Sequence, residues 1–380
     1  MALKPTVFAV ATFLLFHSLS ATLTFAEPLY TLTDLGDMGV SSIQPEGIND
    51  LGQIVGSGYT YNDSGDFVTR GFLWKDGVLT TLSDLPGGDD QSIASDINND
   101  GTIVGYSLAG DGFHMVSWDD DLAIHDLERG YGQNVSNAGE FVGRTPPSHG
   151  VLIRDGVRTS LGDLPGGEIY SRAFGINDHS QVVGESIASD GLHAFLWEDG
   201  SMLDLGGLSG FTESHAQSVN NLGQIVGWSI DADGRSAVMW QDGEIVDLGA
   251  LPGAVGNNGA WAINDQLQVV GNSQVAPGLS GFRGFLWDSE NGMRDLNDLT
   301  DGIPDGWTIG GAVGINSSSQ IAASIIDSNG DFRRAVLLTP VPEPNSGLVL
   351  LAGVAAVVYR GRNFARRSSS RRRSGVTTTR

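Results

Sequence analysis

One ten-residue stretch, Gly47-Ile48-Asn49-Asp50-Leu51-Gly52-Gln53-Ile54-Val55-Gly56, is written again and again along the chain. It returns from Asp96 to Gly105 and from Gly175 to Gly184. Further copies begin at Ser218, Ala262 and Gly314, and a worn copy runs from Asn134 to Gly143. The Asn-equivalent positions are Asn49, Asn98, Ser136, Asn177, Asn220, Asn264 and Asn316, spaced by 49, 38, 41, 43, 44 and 52 residues. A repeat of this size points to a solenoid, a propeller or an array, because one such unit cannot bury its apolar face alone.

Each copy reads as strand, tight turn, strand. Ile48 is apolar, Asn49 to Gly52 supply turn chemistry, and Ile54-Val55 resume an extended run. Asn and Asp bond their own backbone at a turn, and Gly accepts the positive φ that closes a hairpin. Small residues follow the second strand, as in Gly105-Tyr106-Ser107 and Gly184-Glu185-Ser186. Such glycines suggest close approach of another backbone, expected here at the centre of a ring of sheets. A second landmark, Gly71-Phe72-Leu73-Trp74 or Ala194-Phe195-Leu196-Trp197, does not alternate polar with apolar, so both faces of that strand should be buried. Asp-Gly usually comes next (Asp76-Gly77, Asp155-Gly156, Asp199-Gly200, Asp242-Gly243), a strong hairpin signal. A fourth strand is expected to end in Asp-Leu.

Four short antiparallel strands in about 45 residues make one propeller blade. The expected fold is therefore all-β: a seven-bladed β-propeller of four-stranded blades. The Asp-Leu pair occurs at Asp34-Leu35, Asp84-Leu85, Asp126-Leu127, Asp163-Leu164, Asp204-Leu205, Asp247-Leu248 and Asp295-Leu296. The first copy precedes any Ile-Asn element, and the last unit reaches Pro340 without one. An unpaired strand edge is a liability that sheets cover. Tyr30–Leu35 should therefore pair antiparallel with Arg334–Leu338, closing the ring with the N-terminal strand.

Three segments differ in composition. Residues 1–26 read as a signal peptide, with Lys4, an apolar core from Val7 to Phe16 and the small-residue exit Thr24-Phe25-Ala26. Residues 27–340 are the repeat body. Its stretch 28–340 holds 43 acidic and 12 basic residues, a net charge of −31 that repels nucleic acid and anionic membranes. There is no Cys, so buried apolar area rather than disulfides must hold an exported body together. Residues 341–380 begin with Pro342-Glu343-Pro344, continue through a short apolar run from Gly347 to Tyr359, and end in clustered Arg. That run is short for a spanning helix of about 20 residues, and the Arg cluster would hold the end on the cytoplasmic side.

The order Pro-Glu-Pro, apolar segment, Arg cluster resembles the PEP-CTERM sorting signal of Gram-negative bacteria. That resemblance implies export, transient anchoring in the inner membrane through the C-terminal segment, and cleavage by an exosortase. It often accompanies exopolysaccharide production, and implies a place at the cell surface or in the extracellular matrix. The tail from Arg366 to Arg380 is longer than the pattern. The repeat resembles the extracellular HAF repeats, named for the triplet standing here as His193-Ala194-Phe195 before Leu196-Trp197, over nearly all of 30–338. That family implies export and repeat architecture, not a reaction.

The chain carries no phosphate-cradling loop and no zinc spacing among its histidines. Two sets of loops should share one face of the ring. Connections between repeats bring Asp89, Asp90, Tyr131, Glu168, Tyr170, Glu213, His215, Trp261 and Trp307. Acids beside aromatics suit sugar stacking with hydrogen bonding, so these are the candidate binding residues. Loops between second and third strands carry Asp63, Asp66, Asp231, Asp233, Asp327 and Asp331. These are candidate ligands for calcium, which takes six to eight oxygens, although none has the spacing of a dedicated calcium loop; no other cofactor is expected. The expected role is a non-catalytic binding face toward extracellular polysaccharide. A secreted polysaccharide hydrolase or lyase on the same scaffold is the alternative, drawing on Asp89 with Glu168 or Glu213 with His215. A purely structural envelope protein is the third reading.

Overall fold

A computed structural model describes residues 30–342, apart from 40, 41, 63, 279, 280, 331 and 332. The signal segment, Glu343-Pro344, the apolar run, the Arg-rich tail, Asp63 and Asp331 lie outside the described residues. Among the described residues no helix is long and apolar enough to cross a membrane.

The repeat unit builds one antiparallel meander. In the first, strands Ile43–Ile48, Ile54–Tyr61, Phe67–Lys75 and Val78–Thr81 pair in chain order. Meanders at 92–129, 131–160 and 258–295 repeat this order. Those at 166–204 and 213–247 join into one eight-stranded sheet through a parallel contact between Leu192 and Glu213. In the last sheet, Trp307–Ile315, Ile321–Asp327 and Arg333–Pro340 are joined by the N-terminal strand Tyr30–Asp34. That strand runs antiparallel to Arg333–Pro340, with Leu32 opposite Leu338 and Thr33 opposite Leu337. On its other edge Thr300–Asp301 pairs in parallel with Tyr30-Thr31, directly after a single helical turn, Leu296–Leu299, capped by the Asp295 carboxylate.

Local chemistry explains the turns. Asn49 Oδ1 accepts from the backbone N–H groups of Leu51 (3.1 Å) and Gln53 (3.0 Å), tying the hairpin to its first residue. The Asp76-Gly77 turn has φ of 51° and 81°, the doubly positive pair that a two-residue hairpin requires. Packing explains the unalternating third strands. Phe72 packs with Ala322 and Leu337 of the last sheet, while the next residue, Leu73, packs with Ile103 and Trp118 of the second. Each face of a sheet thus has its own apolar neighbour.

The Asn positions lace the sheets together. Asn49 Nδ2 donates to the Asn98 carbonyl (2.9 Å), and Asn98 Nδ2 to that of Ser136 (3.1 Å). Asn177 donates to Asn220 (2.9 Å), Asn220 to Asn264 (3.1 Å) and Asn264 to Asn316 (3.1 Å). Asn316 donates back to the Asn49 carbonyl at 3.0 Å, 267 residues away.

Two expectations need correction. The glycines after the second strands are not crowded by a neighbouring sheet at the ring centre; their own first strand approaches them. A Cβ at Gly56 would fall 2.0 Å from the Gln44 carbonyl oxygen, and one at Gly184 would fall 1.9 Å from that of Arg172. The cause is a β-bulge in the first strand, which throws a carbonyl toward its partner. The Asp-Leu pairs, too, are not one position. Leu35, Leu82, Leu161, Leu205 and Leu248 close the outer strands by donating to the third-strand backbone, as Leu82 does to Gly71 at 2.8 Å. Leu85 and Leu164 sit three residues later and donate instead to the hydroxyls of Ser107 (2.9 Å) and Ser186 (3.0 Å) in the next meander. Leu208 and Leu251 do the same toward Ser229 and Ser273. Two leucines three apart both look like strand ends until the partner is known.

Candidate functional site

The bulge recurs at the same place in six meanders. The ladder skips one residue in the first strand: Glu46, Ser95, Gln133, Phe174, Gln217 and Trp261. In the last sheet Gly310 and Val313 are skipped. A bulge re-aims its extra residue, and all of these line one axial cavity of about 710 Å³. The same bulge therefore aims carboxylate, hydroxyl, amide and aromatic side chains from different repeats into one cavity.

At the narrow end of this passage the residues after the Asn positions form a second ring. Asn99 Oδ1 accepts from the Asp50 N–H (2.8 Å), Asn137 from Asn99 (2.9 Å), Asp178 from Asn137 (2.8 Å) and Asn221 from Asp178 (3.0 Å). Asp265 accepts from Asn221, and Asp50 from Ser317, both at 2.8 Å. Burial acts to raise the Asp50 pKa, but hydrogen bonds from Ser317 and Asn99 outweigh it and hold the carboxyl below its usual range.

The wide end carries unusual carboxyls. Asp96 accepts from Asn134 Nδ2 (2.7 Å) and Val135 N–H (3.1 Å), yet burial pushes its pKa up to about 7. Glu46 is exposed on its cavity side, and desolvation by the protein around it raises its pKa to about 7. Tyr106, Phe174 and Trp261 share the cavity wall with the amides of Gln133, Asn134 and Gln217.

Above the bulges a belt of side chains runs from sheet to sheet. Tyr131 meets Tyr106 edge-on at 5.0 Å and lies under the Arg144 guanidinium at 4.0 Å. The Tyr170 hydroxyl donates to Glu185 Oε1 (2.7 Å), His215 Nδ1 lies 2.5 Å from Glu185 Oε2, and Arg172 is 3.7 Å from the same carboxylate. His215 stacks on Trp228 at 4.9 Å, and Trp228 meets Trp261 at 5.0 Å. Burial would raise the Glu185 pKa, but His215, Tyr170 and Arg172 hold it below the normal carboxylate range. Burial, then the Glu185 contact, lifts Tyr170 to about 12.

Four sequence candidates therefore stand in two contact groups of this belt: Tyr131 with Tyr106 and Arg144, and Tyr170, His215 and Trp261 along Glu185 and Trp228. Glu213 is exposed, 3.6 Å from His215 Nε2. Asp90 braces a loop, accepting from Asn62 Nδ2 at 2.5 Å and pairing with Arg70 at 3.3 Å. Asp89 and Glu168 are exposed. Trp307 packs on the core of the last sheet beneath Arg334, 4.7 Å from its ring. Glu46, Asp96, Tyr106, Glu185 and Trp228 were not singled out by sequence. The signal was present: Glu46 stands three residues before Asn49 as Trp261 stands before Asn264, and Tyr106, Glu185 and Trp228 each stand eight after theirs.

Among the described residues no group of three His, Asp or Glu converges as a metal site. Asp231 Oδ1 caps its own hairpin, accepting from the N–H groups of Asp233 (2.8 Å) and Gly234 (3.2 Å).

No protein-family model and no curated protein matches this chain. Solved structures do. The β-propeller domain of the Trilobed protease from Pyrococcus furiosus aligns with a TM-score of 0.53 at 12% identity, over 83% of this chain and 94% of that one. The fold is a β-propeller. Two others align at lower scores: YCF48 bound to a D1 peptide (0.45, 12% identity, 82% and 94% coverage) and the Bacillus subtilis arabinanase Arb43A (0.32, 11%, 81% and 97%).

Proposed function

We propose that this propeller has seven blades, closed by its N-terminal strand, and binds extracellular polysaccharide at the wide mouth of its axial cavity. The pairing of Tyr30–Asp34 with Arg333–Pro340 and the Asn316-to-Asn49 link support the closure. One observation carries the ligand. Tyr106, Phe174 and Trp261 face the same cavity as Gln133, Asn134 and Gln217. Aromatic faces suit the C–H faces of sugar rings, and planar amides suit vicinal hydroxyls. The net charge of −31 over 28–340 disfavours nucleic acid and anionic membranes as partners. In this reading residues 1–26 export the protein, and 341–380 hold it at the inner membrane until an exosortase-type enzyme releases it to the cell surface. The face itself is non-catalytic. A glycan array on the full chain tests this: binding that Trp261→Ala weakens is the expected result, and a blank array leaves the structural envelope reading in its place.

A specific observation favours hydrolysis as a second reading. Glu46 and Asp96 line this cavity with pKa values near 7, and a carboxyl that keeps its proton at neutral pH is what a general acid requires. A reducing-end assay separates the two. Release of sugar ends, abolished by Glu46→Gln or Asp96→Asn, would replace the non-catalytic reading.

A further inference from the structure

Among the described residues, the solvent-exposed aromatic side chains are Tyr59 (42% exposed), Tyr61 (60%) and Phe67 (59%); every other described Tyr, Phe and Trp is buried or half-buried. All three stand on one hairpin of the first meander. Tyr61 lies opposite Phe67 across the strand pair, and Tyr59 is two residues back on the same face. Phe67 stacks on Tyr59 with ring centroids 5.0 Å and planes 14° apart, and meets Tyr61 edge-on at 5.7 Å. The rings therefore hold one another rather than entering the core.

The rest of the hairpin is anchored. Val68, between these positions, is buried, and Thr60 Oγ1 donates to the Met38 carbonyl at 2.9 Å. At the tip, Asn62 Nδ2 donates to Asp90 on the loop leading to the next meander. An exposed apolar patch on a braced support marks a recognition surface.

Charge excludes anionic occupants, and ring chemistry chooses among the rest. Asp66 at the hairpin turn and Asp89 beside the bracing Asp90 are exposed carboxylates on a body of net charge −31. That field opposes a second copy of this chain, a nucleic acid or an anionic lipid surface. An uncharged sugar polymer meets no such repulsion. Its ring C–H faces match the aromatic faces, and the Tyr59 and Tyr61 hydroxyls supply hydrogen bonds at the rim. We propose that the hairpin 54–75 is a second polysaccharide-binding platform, separate from the axial cavity, which stacks an uncharged sugar chain on Tyr59, Tyr61 and Phe67. The choice of a sugar ligand rests on the reading given above; the place does not. Two sites on one polymer would add avidity.

Affinity electrophoresis of the full chain through gels containing a mixed-linkage β-glucan, a galactomannan or a xylan tests the proposal. Replacing Tyr59, Tyr61 and Phe67 together by Ala is expected to weaken retardation about tenfold, while Tyr61→Phe, which keeps the ring, stays within about twofold. Trp261→Ala tests the cavity independently. Loss in the triple variant alone supports the platform and counts against the cavity; loss in Trp261→Ala alone overturns the platform and leaves the cavity reading standing. No retardation of the wild type in any gel overturns both. Sedimentation gives a further check: a wild-type dimer that the triple variant dissolves would assign this face to self-association and overturn the proposal. The three side chains are exposed, so the variants should keep the wild-type melting temperature. If the triple variant melts early, Phe67→Ala alone, also expected to weaken retardation, decides.

Discussion

Tyr30 is the residue through which the N-terminal strand holds the last sheet, and its truncation tests the closure directly. The side chain is fully buried among Leu296, Leu299, Val336 and Leu338. Truncating a buried aromatic to Ala costs about 3–5 kcal/mol, the sum of lost transfer energy and the cavity left behind. One opposing effect is present. The Tyr30 hydroxyl is buried with no hydrogen-bond partner among the described residues, and leaving an uncharged hydroxyl so costs about 1 kcal/mol. Tyr30→Ala should therefore destabilise by about 2–4 kcal/mol, and Tyr30→Phe should be neutral or stabilise by up to about 1 kcal/mol. In a body of this size about 2 °C accompanies each kcal/mol, so calorimetry should find Tyr30→Ala melting about 4–8 °C early and Tyr30→Phe unchanged or later. Deleting 28–36 removes the whole strand, exposes the edge of Arg333–Pro340 and should cost more than Tyr30→Ala. If Tyr30→Ala melts within about a degree of wild type, the strand is not a structural clasp and the closure is wrong.

Other outcomes follow from the lacing and the cavity. Asn49→Ala strands the buried N–H of Gln53 and the buried Asn98 carbonyl, besides losing the part-buried bond from Leu51, and should cost about 2–4 kcal/mol in denaturant unfolding. Ser136 is the position without an Asn, its hydroxyl accepting from the Glu140 N–H at 3.2 Å; Ser136→Asn should stabilise by about 1 kcal/mol, read from the denaturation midpoint, through the missing link. Glu46 and Asp96 have folded-state pKa values raised to about 7, so the folded protein retains protons that the unfolded chain gives up from about pH 4 upward. Their contribution to stability is full below the unfolded value and is lost as pH rises through about 7. Burial would lower the His114 pKa, but its contacts with Asp126 and Asp111 raise it, so it acts in the same direction. Melting temperature should fall from about pH 5.5 to about pH 8, and Asp96→Asn should flatten that fall by about 1 kcal/mol, the bare shift being reduced because Asp96 is only half-buried. A pH profile that Asp96→Asn leaves untouched would remove Asp96 as the titrating group.

Spacing and turn chemistry were enough to read strand, hairpin and repeat from the chain, because each is written within a few residues. Asn49 meets its own hairpin four residues on, and Asp76-Gly77 carries its turn in its own φ angles. The apolar runs such as Phe72-Leu73-Trp74 likewise announced burial on both faces, since only a sheet between two others needs no polar side. Elsewhere a partner far along the chain makes the choice. Leu82 and Leu85 are chemically alike; one is a strand end and the other a link only because Gly71 lies 11 residues back and Ser107 lies 22 ahead. Glu185 reads as an ordinary strand residue between Gly184 and Ser186, and becomes the hub of the belt because packing of the next meander brings His215 to it from 30 residues away. The bulges work the same way: which residue a strand skips depends on its partner's register, and that register turns Glu46 and Trp261 into the axial cavity. Local backbone preference acts over a few residues, whereas register and packing compare surfaces tens of residues apart, and the site is built from the second kind of interaction.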